Sequence, residues 1–386
     1  MDKINLAMVF KYLPAYRLGI LNKLFEFDKN FDITFYAGNK EQEGIKLANW
    51  HLLSKKGNLK YAKTWFYKPS LLLWQKGIIS QILFSKHDVF IFDGAISHLP
   101  NWIFLILCKL TGKKTLLWSH GFKGLDKGIK LKLRLLFFKY LASGNIVYGN
   151  TQKKIMIDLG FNPSTLTVIY NSLNSQLQRE KLEWLVDKEI HYLKNSWFNN
   201  PKNFTIIFIG RLVERKGVLD VVNAIYDLKI DGVHANCLIV GEGNQENAIK
   251  RLIEKYNLAD QIQMLGALYE EDDLAKCFAA SDLMLSPGNV GLNCIHSLGY
   301  GVPVCTHDNH EFQNPEIESV IDGESGVLFD YGNYHDMIFK LKEYMLSGRS
   351  KKESQAACFK MIDSYYNPNN QAKCIKNAVE NVTKIT

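Results

Sequence analysis

Three glycine-bearing segments in the second half of the chain have residue types suited to an anionic ligand. The first, Phe208-Ile209-Gly210-Arg211-Leu212-Val213-Glu214-Arg215-Lys216-Gly217, passes from an apolar run through glycine and arginine to lysine-glycine just before a helical stretch. A glycine at a strand end lets a ligand reach the backbone, and the helix that follows offers unpaired N–H groups and the positive end of its dipole. With Arg211 and Lys216 added, the segment reads as a diphosphate site; its plainer alternative is a solvated basic turn. The second, Val240-Gly241-Glu242-Gly243-Asn244, is a poor dinucleotide fingerprint, because Glu246 stands where G-x-G-x-x-G needs its third glycine. It fits a tight turn beside a nucleotide or an ordinary turn. The third, Ser286-Pro287-Gly288-Asn289-Val290-Gly291-Leu292, leads into a helix expected over Asn293–Tyr300 and then Gly301-Val302-Pro303-Val304. It offers N–H donors from Val290 to Asn293 to the same anion.

Other candidates are more scattered. Thr306-His307-Asp308-Asn309 could reach sugar hydroxyls or close an Asx turn. In the first half, His120 ends a strand and precedes Gly121, and Asp93-Gly94 ends another; strand ends of this kind line ligand crevices in α/β sheets. Lys11 and Arg17 could contact an anion or could be first-turn helix charges.

These segments need a scaffold of alternating strands and helices. Short runs rich in β-branched and aromatic residues fall at Ile4–Phe10, Ile33–Ala37, Val89–Phe92, Thr115–Trp118, Ile146–Tyr148 and Leu166–Tyr170, with helical spacing over Leu18–Phe27, Leu71–Phe84, Trp102–Thr111 and Ile129–Leu141. A polar stretch through Asn199-Asn200-Pro201-Lys202-Asn203 reads as a connection. A second alternation follows, with strands at Phe204–Ile209, Ala235–Val240, Ile262–Leu265, Leu283–Ser286, Val302–Thr306 and Val327–Phe329. Met337–Ile385 reads as helix, broken at Tyr366–Asn369. The order predicts parallel sheets in two doubly wound α/β domains, 1–198 and 199–365, with a helix at 366–386 returning to the first.

Composition narrows the function classes. The 386 residues are 47% hydrophobic and 22% charged, the soluble globular range. Seven cysteines form no C-x-x-C pair or metal spacing, which predicts reduced core thiols, no metal site and a cytoplasmic setting. No apolar stretch approaches the roughly 20 residues of a membrane-spanning helix. Charge is uneven: through Lys194 there are 29 Lys/Arg against 14 Asp/Glu, and beyond it 18 against 25. Lys127 to Leu141 interleaves five cations with large apolar side chains, which suits an interfacial helix on anionic lipid or a helix on its own sheet with a solvated lysine face. An anionic membrane surface, on the inner face of the membrane, is therefore an expected partner, and nucleic acid is not.

The order G-R-L-x-x-x-K-G, V-G-x-G and S-P-x-x-x-G-L, with G-x-P-V about ten residues on, resembles the C-terminal half of family-four glycosyltransferases, which are retaining enzymes of GT-B fold. The resemblance covers roughly Phe204 to Phe329. It implies two Rossmann-like domains facing across a cleft, a UDP-sugar or GDP-sugar donor with no further cofactor, and a glycan or polyprenyl-linked acceptor in bacterial surface-polysaccharide assembly. It implies that Arg211 and Lys216 clamp the diphosphate and that His120 supports the reacting centre. It places Gly210, Gly243, Ala267, Leu268, Asn289, Gly291, Leu292 and His296 around the donor, with Leu265-Gly266-Ala267-Leu268 beside the base. One departure matters: where the family has two glutamates with seven residues between them, this chain has Gly288 and His296. Neutral imidazole accepts one hydrogen bond and donates one, whereas a carboxylate accepts two. The departure keeps open a second reading, a catalytically inactive nucleotide-sugar-binding or scaffold protein of the same fold.

Overall fold

A computed structural model describes residues 3–26, 31–38, 47–49, 58–62, 64–67 and 72–384. The chain divides into two units, Met1–Asn174 with Pro368–Thr386, and Ser175–Asn367.

The first unit runs β1 (Ile4–Tyr12), α1 (Leu18–Phe25), β2 (Phe31–Gly38), β3 (Asn58–Tyr61), β4 (Thr64–Tyr67), β5 (Leu72–Gln75), α2 (Ile78–Phe84), β6 (Val89–Asp93), α3 (Leu99–Leu110), β7 (Lys114–Ser119), α4 (Gly128–Leu135), β8 (Gly144–Val147), α5 (Asn150–Asp158) and β9 (Leu166–Val168). Its sheet is parallel, in the order β3-β2-β1-β6-β7-β8-β9. Leu6 to Phe10 and Val89 to Phe92 are buried on both faces, as unbroken apolar strands in a parallel sheet must be. α4 continues as a π-helical turn over Leu136–Leu141.

The second unit runs α6 (Ser175–Trp184), α7 (Asp187–Trp197), β10 (Phe204–Ile209), α8 (Val218–Ile230), β11 (Ala235–Val240), α9 (Glu246–Lys255), β12 (Ile262–Gly266), α10 (Glu271–Ala279), β13 (Leu283–Ser286), α11 (Leu292–Gly299), β14 (Val304–His307), β15 (Gly326–Phe329), α12 (Tyr334–Leu346) and α13 (Lys351–Ser364). Its parallel sheet has the order β12-β11-β10-β13-β14-β15. α13 starts on a capping box, Ser350 with Glu353.

The last helix, α14 (Pro368–Lys384), belongs to the first unit. Its buried Ala372, Ile375, Val379 and Val382 repeat at helical spacing and join the cluster formed by Leu116, Ile146 and Phe35. The larger side chains among them, Ile375, Val379 and Val382, each contribute roughly 1.5–3 kcal/mol on burial.

Some expectations shift. Leu71–Phe84 is not one helix: Leu72–Gln75 pairs antiparallel with Thr64–Tyr67, and helix begins only after Gly77, whose φ of 90° breaks the run. Four consecutive apolar residues from Leu71 to Trp74 suit a strand better than a helical stripe. The boundary lies at 174/175 rather than 198/199, and the return at 367/368 rather than 365/366. The polar helices between are surface elements of the second unit: Lys181 pairs with Asp272 at 2.6 Å and Lys276 with Glu189 at 3.9 Å. Among the described residues all seven cysteines are unpaired and six are buried. No helix of the described residues is long and apolar enough to cross a membrane.

Candidate active site

In each sheet the strand order reverses at one place, between β1 and β6 in the first and between β10 and β13 in the second. Ligands of open α/β sheets bind beyond the carboxyl ends of the strands at such switch points. The glycine-bearing turns after β10 and β13 therefore lie at the binding edge of the second unit.

The first two segments form one structure. Leu212 N–H donates to the Glu242 carbonyl at 2.8 Å, and Gln245 N–H returns to the Leu212 carbonyl at 2.9 Å. The backbones are so close that a Cβ on Gly243, at φ 159°, would sit 2.4 Å from the Leu212 oxygen. Position 243 therefore excludes every side chain. Gly210 N–H donates to Val240 O at 3.0 Å and Gly241 N–H to Gly266 O at 2.8 Å, so the ends of β10, β11 and β12 stay tied together. Ala267 and Leu268 follow, half-buried, and neighbouring Tyr269 donates its hydroxyl to Glu242 at 3.1 Å.

The third segment locks onto the first. Lys216 Nζ donates to the Asn289 carbonyl at 2.5 Å, and Gly288 N–H to the Lys216 carbonyl at 3.2 Å. A Cβ on Gly288 would meet the Arg215 carbonyl oxygen at 2.2 Å. The missing carboxylate at 288 thus has a steric cause: the 215–216 turn fills the space a side chain needs. Burial, then the charges of Arg215 and Arg211, push the Lys216 ammonium down to about 8, with Glu316 acting the other way. Arg211 itself is exposed.

The start of α11 differs from expectation. Val290 N–H is taken by Gln313 Oε1 at 2.7 Å and Gly291 N–H by Asn293 Oδ1 at 2.9 Å. Of the four donors foreseen, Leu292 and Asn293 remain at the helix start, where N–H groups have no intrahelical partner. Asn293 also donates to Ile209 O at 3.0 Å, which ties α11 to the end of β10. Buried Gln313 braces the opposite side through Thr306 Oγ1 and His307 O. Three buried polar atoms in this neighbourhood, Ser286 Oγ, Asn289 Oδ1 and His307 Nδ1, have no hydrogen-bond partner among the described residues. Burial pushes His307 down to about 4, so its ring is neutral.

His296, on α11, bonds through Nε2 to Glu271 Oε1 at 2.8 Å, and the same oxygen accepts from Tyr300 OH at 2.7 Å. Burial pushes the Glu271 carboxyl up, but hydrogen bonds from His296, Tyr300 and Gln178 outweigh it and hold the group below the usual carboxylate range. Glu271 is therefore ionised and accepts a hydrogen bond from His296 Nε2–H.

In the first unit the strand ends carry a second cluster. Arg17 donates to Tyr148 OH at 3.0 Å, with its guanidinium 4.8 Å from the Trp118 ring and 5.4 Å from Phe10. Burial opposes its charge, yet Tyr148, Tyr16 and Asp93 together raise its pKa. The exposed His120 ring lies 4.9 Å from Tyr148. Lys11, Arg17, Asp93 and Trp118 line a cavity of about 100 Å³.

Gln313, Asn293, Glu271 and Tyr148 carry much of this geometry, and sequence reasoning did not single them out. Asn293 alone had a local signal, an amide at a helix start after glycine.

Comparison with known proteins agrees with this geometry. The glycosyl transferases group 1 family matches residues 190–358. An uncharacterized glycosyltransferase of Methanocaldococcus jannaschii is 25% identical over 64% of this chain and 63% of its own length. The capsular polysaccharide biosynthesis glycosyltransferase CapM of Staphylococcus aureus is 24% identical over 46% of this chain and 43% of its own. The chain thus spans less than two thirds of these relatives. Among solved structures, the Anabaena protein HepE in complex with UDP and glucose superposes with a TM-score of 0.68 at 14% identity, over 98% of this chain and 100% of that one. Residues 190–358, which match the glycosyl transferases group 1 family, thus lie within the second of two Rossmann-like units of a GT-B fold.

Proposed function

We propose that the protein transfers a glycosyl unit from a nucleoside diphosphate sugar to a hydroxyl of a glycan or lipid-linked acceptor, with retention at the anomeric carbon, in the assembly of a surface polysaccharide. The observation that carries this reading is the half-buried Lys216, braced on Asn289 at the switch point of the second sheet, with Arg211 on the same turn and the start of α11 beside it.

In the transfer the bond from the anomeric carbon to the diphosphate oxygen breaks, a bond to the acceptor oxygen forms, and the acceptor's hydroxyl proton passes to the departing diphosphate. Negative charge grows on the departing diphosphate. Arg211, Lys216 and the N–H groups of Leu292 and Asn293 stabilise it from fixed positions, at no cost of reorganisation. Gly210 and Gly243 let the nucleotide approach the backbone, and Ala267 and Leu268 present backbone groups to the base. His296 Nδ1 accepts one ribose hydroxyl, and Asn289 and Gly291 serve the donor sugar. His120, in the first unit, is assigned to the sugar at the reacting centre.

A thermal-shift panel of UDP, GDP and their sugars tests the donor assignment, because a ligand at a hundred times its Kd stabilises the folded form by about 2.7 kcal/mol. No shift with any of them would remove the reading. Binding without turnover on a matched donor and acceptor would mark a nucleotide-sugar-binding scaffold instead, the reading favoured by the missing carboxylate at 288.

A further inference from the structure

One face of the first sheet is covered by α2, α3 and α4 with its continuation to Leu141, and α3 packs on both neighbours. Their inward side chains, among them Ile82, Phe104, Leu105, Phe137 and Phe138, form one buried cluster with Phe90 and Phe92. The outward side of this helical layer is apolar as well. Along α3, Leu99, Ile103, Ile106 and Leu110 recur at i, i+4, i+7 and i+11 and are 49%, 44%, 44% and 78% exposed. Along α4 and its continuation, Ile129, Leu133, Leu136 and Tyr140 repeat that spacing and are also exposed. Phe84, at the end of α2, is 84% exposed. A helix apolar on both faces, as α3 is apart from the buried Asn101 and the exposed Lys109, belongs in an environment apolar on both sides, and its own unit covers only one.

Charge says what covers the other. From Lys76 to Leu141 there are 11 Lys/Arg against 3 Asp/Glu, and one of the three, Asp126, is bonded to Lys130 and Arg134. By the observed boundaries the first unit carries 28 Lys/Arg against 11 Asp/Glu, and the second 19 against 28. A second copy docked symmetrically on this face would set its lysines against their duplicates. An anionic bilayer offers phosphates to the lysines and hydrocarbon to the stripes.

We infer that this layer docks on an anionic lipid surface, α3 and α4 lying in its plane with their apolar stripes at the acyl boundary and Lys127 and Lys132 among the headgroups. Tyr140, apolar in its ring and polar at its tip, suits that depth. Arg134 is not a lipid contact. It donates to Gly121 O at 2.7 Å, forms an ion pair with Asp126 at 3.0 Å, and lies over the Phe122 ring, so it ties the docking helix to the loop that carries His120.

The test is co-sedimentation of the full chain with phosphatidylcholine vesicles, with and without 30% phosphatidylglycerol, in a buffer free of nucleotide sugar. Its outcome is thereby separate from the transferase reading. Binding to the anionic vesicles is expected, falling about fivefold per lysine in Lys127→Gln and Lys132→Gln. The double variant Ile103→Ser/Ile106→Ser, unchanged in charge and altered only at exposed positions, should bind at least about tenfold more weakly with an unshifted melting curve. No binding to anionic vesicles would overturn the inference, and so would binding that survives the isoleucine changes. Light scattering that shows a dimer dissolved by those changes, with sedimentation unaltered, would overturn it in favour of a second copy.

Discussion

Lys216 gives the proposed donor site a pH dependence that can be calculated in advance. With its ammonium pushed down to about 8, the side chain is charged at pH 7 and mostly neutral at pH 9. The sign follows from the lowered pKa: the cation that attracts a diphosphate is present below 8 and is lost as pH rises through it. If only the charged form binds, affinity falls by about tenfold between pH 7 and pH 9, equivalent to about 1.4 kcal/mol. Phosphate oxygens titrate near pH 6, so the ligand's own charge stays nearly constant over this range. Calorimetric titration of UDP and GDP at half-unit steps from pH 7 to 9.5 would measure the profile. The Lys216→Gln variant should bind more weakly at pH 7 and lose the slope. A flat profile in the natural protein, or an equal slope in the variant, would refute the assignment of the diphosphate to Lys216.

Further expectations follow from the same geometry. Arg211→Ala should lower turnover by at least about 10²-fold in initial-rate assays, through loss of a fixed partner for the leaving group. Gly288→Glu restores the residue type found at that place in related enzymes, yet it should cost about 1–3 kcal/mol, because the new Cβ meets the Arg215 carbonyl at 2.2 Å. Thermal melting should show about 2–4 °C lost per kcal/mol. Glu271→Gln keeps the shape but removes the charge that holds His296 in one tautomer, so KM for the donor should rise several-fold with kcat little changed. A matched 2′-deoxy donor should show a smaller difference between the two proteins.

The alternation of strands and helices was legible because the buried strands are short, predominantly apolar runs, as at Phe204–Ile209 and Ala235–Val240. The glycine segments were legible for a related reason, since backbone approach at Gly243 and Gly288 admits no other residue. What local pattern could not show were meetings between distant elements: Arg17 with Tyr148, His296 with Glu271, Val290 with Gln313. Such pairs leave no period in the sequence, because each partner is chosen by geometry that exists only after folding. The unit boundary was misplaced for a similar reason. A polar amphipathic helix reads alike whether it bridges two units or lies on the surface of one, and contacts such as Lys181–Asp272 decide between them.

The chain leaves its first unit at Asn174 and re-enters it at Pro368, so the second is inserted into the first. During synthesis the inserted unit has all its strands before α14 exists. The side chains of Leu116 and Ile146, on strands that α14 packs against, stay uncovered on that side until α14 has been made. A chain that stops at Asn367 would therefore yield a finished second unit attached to a sheet bare on one side over β7, β8 and β9, a species prone to aggregation and chaperone capture.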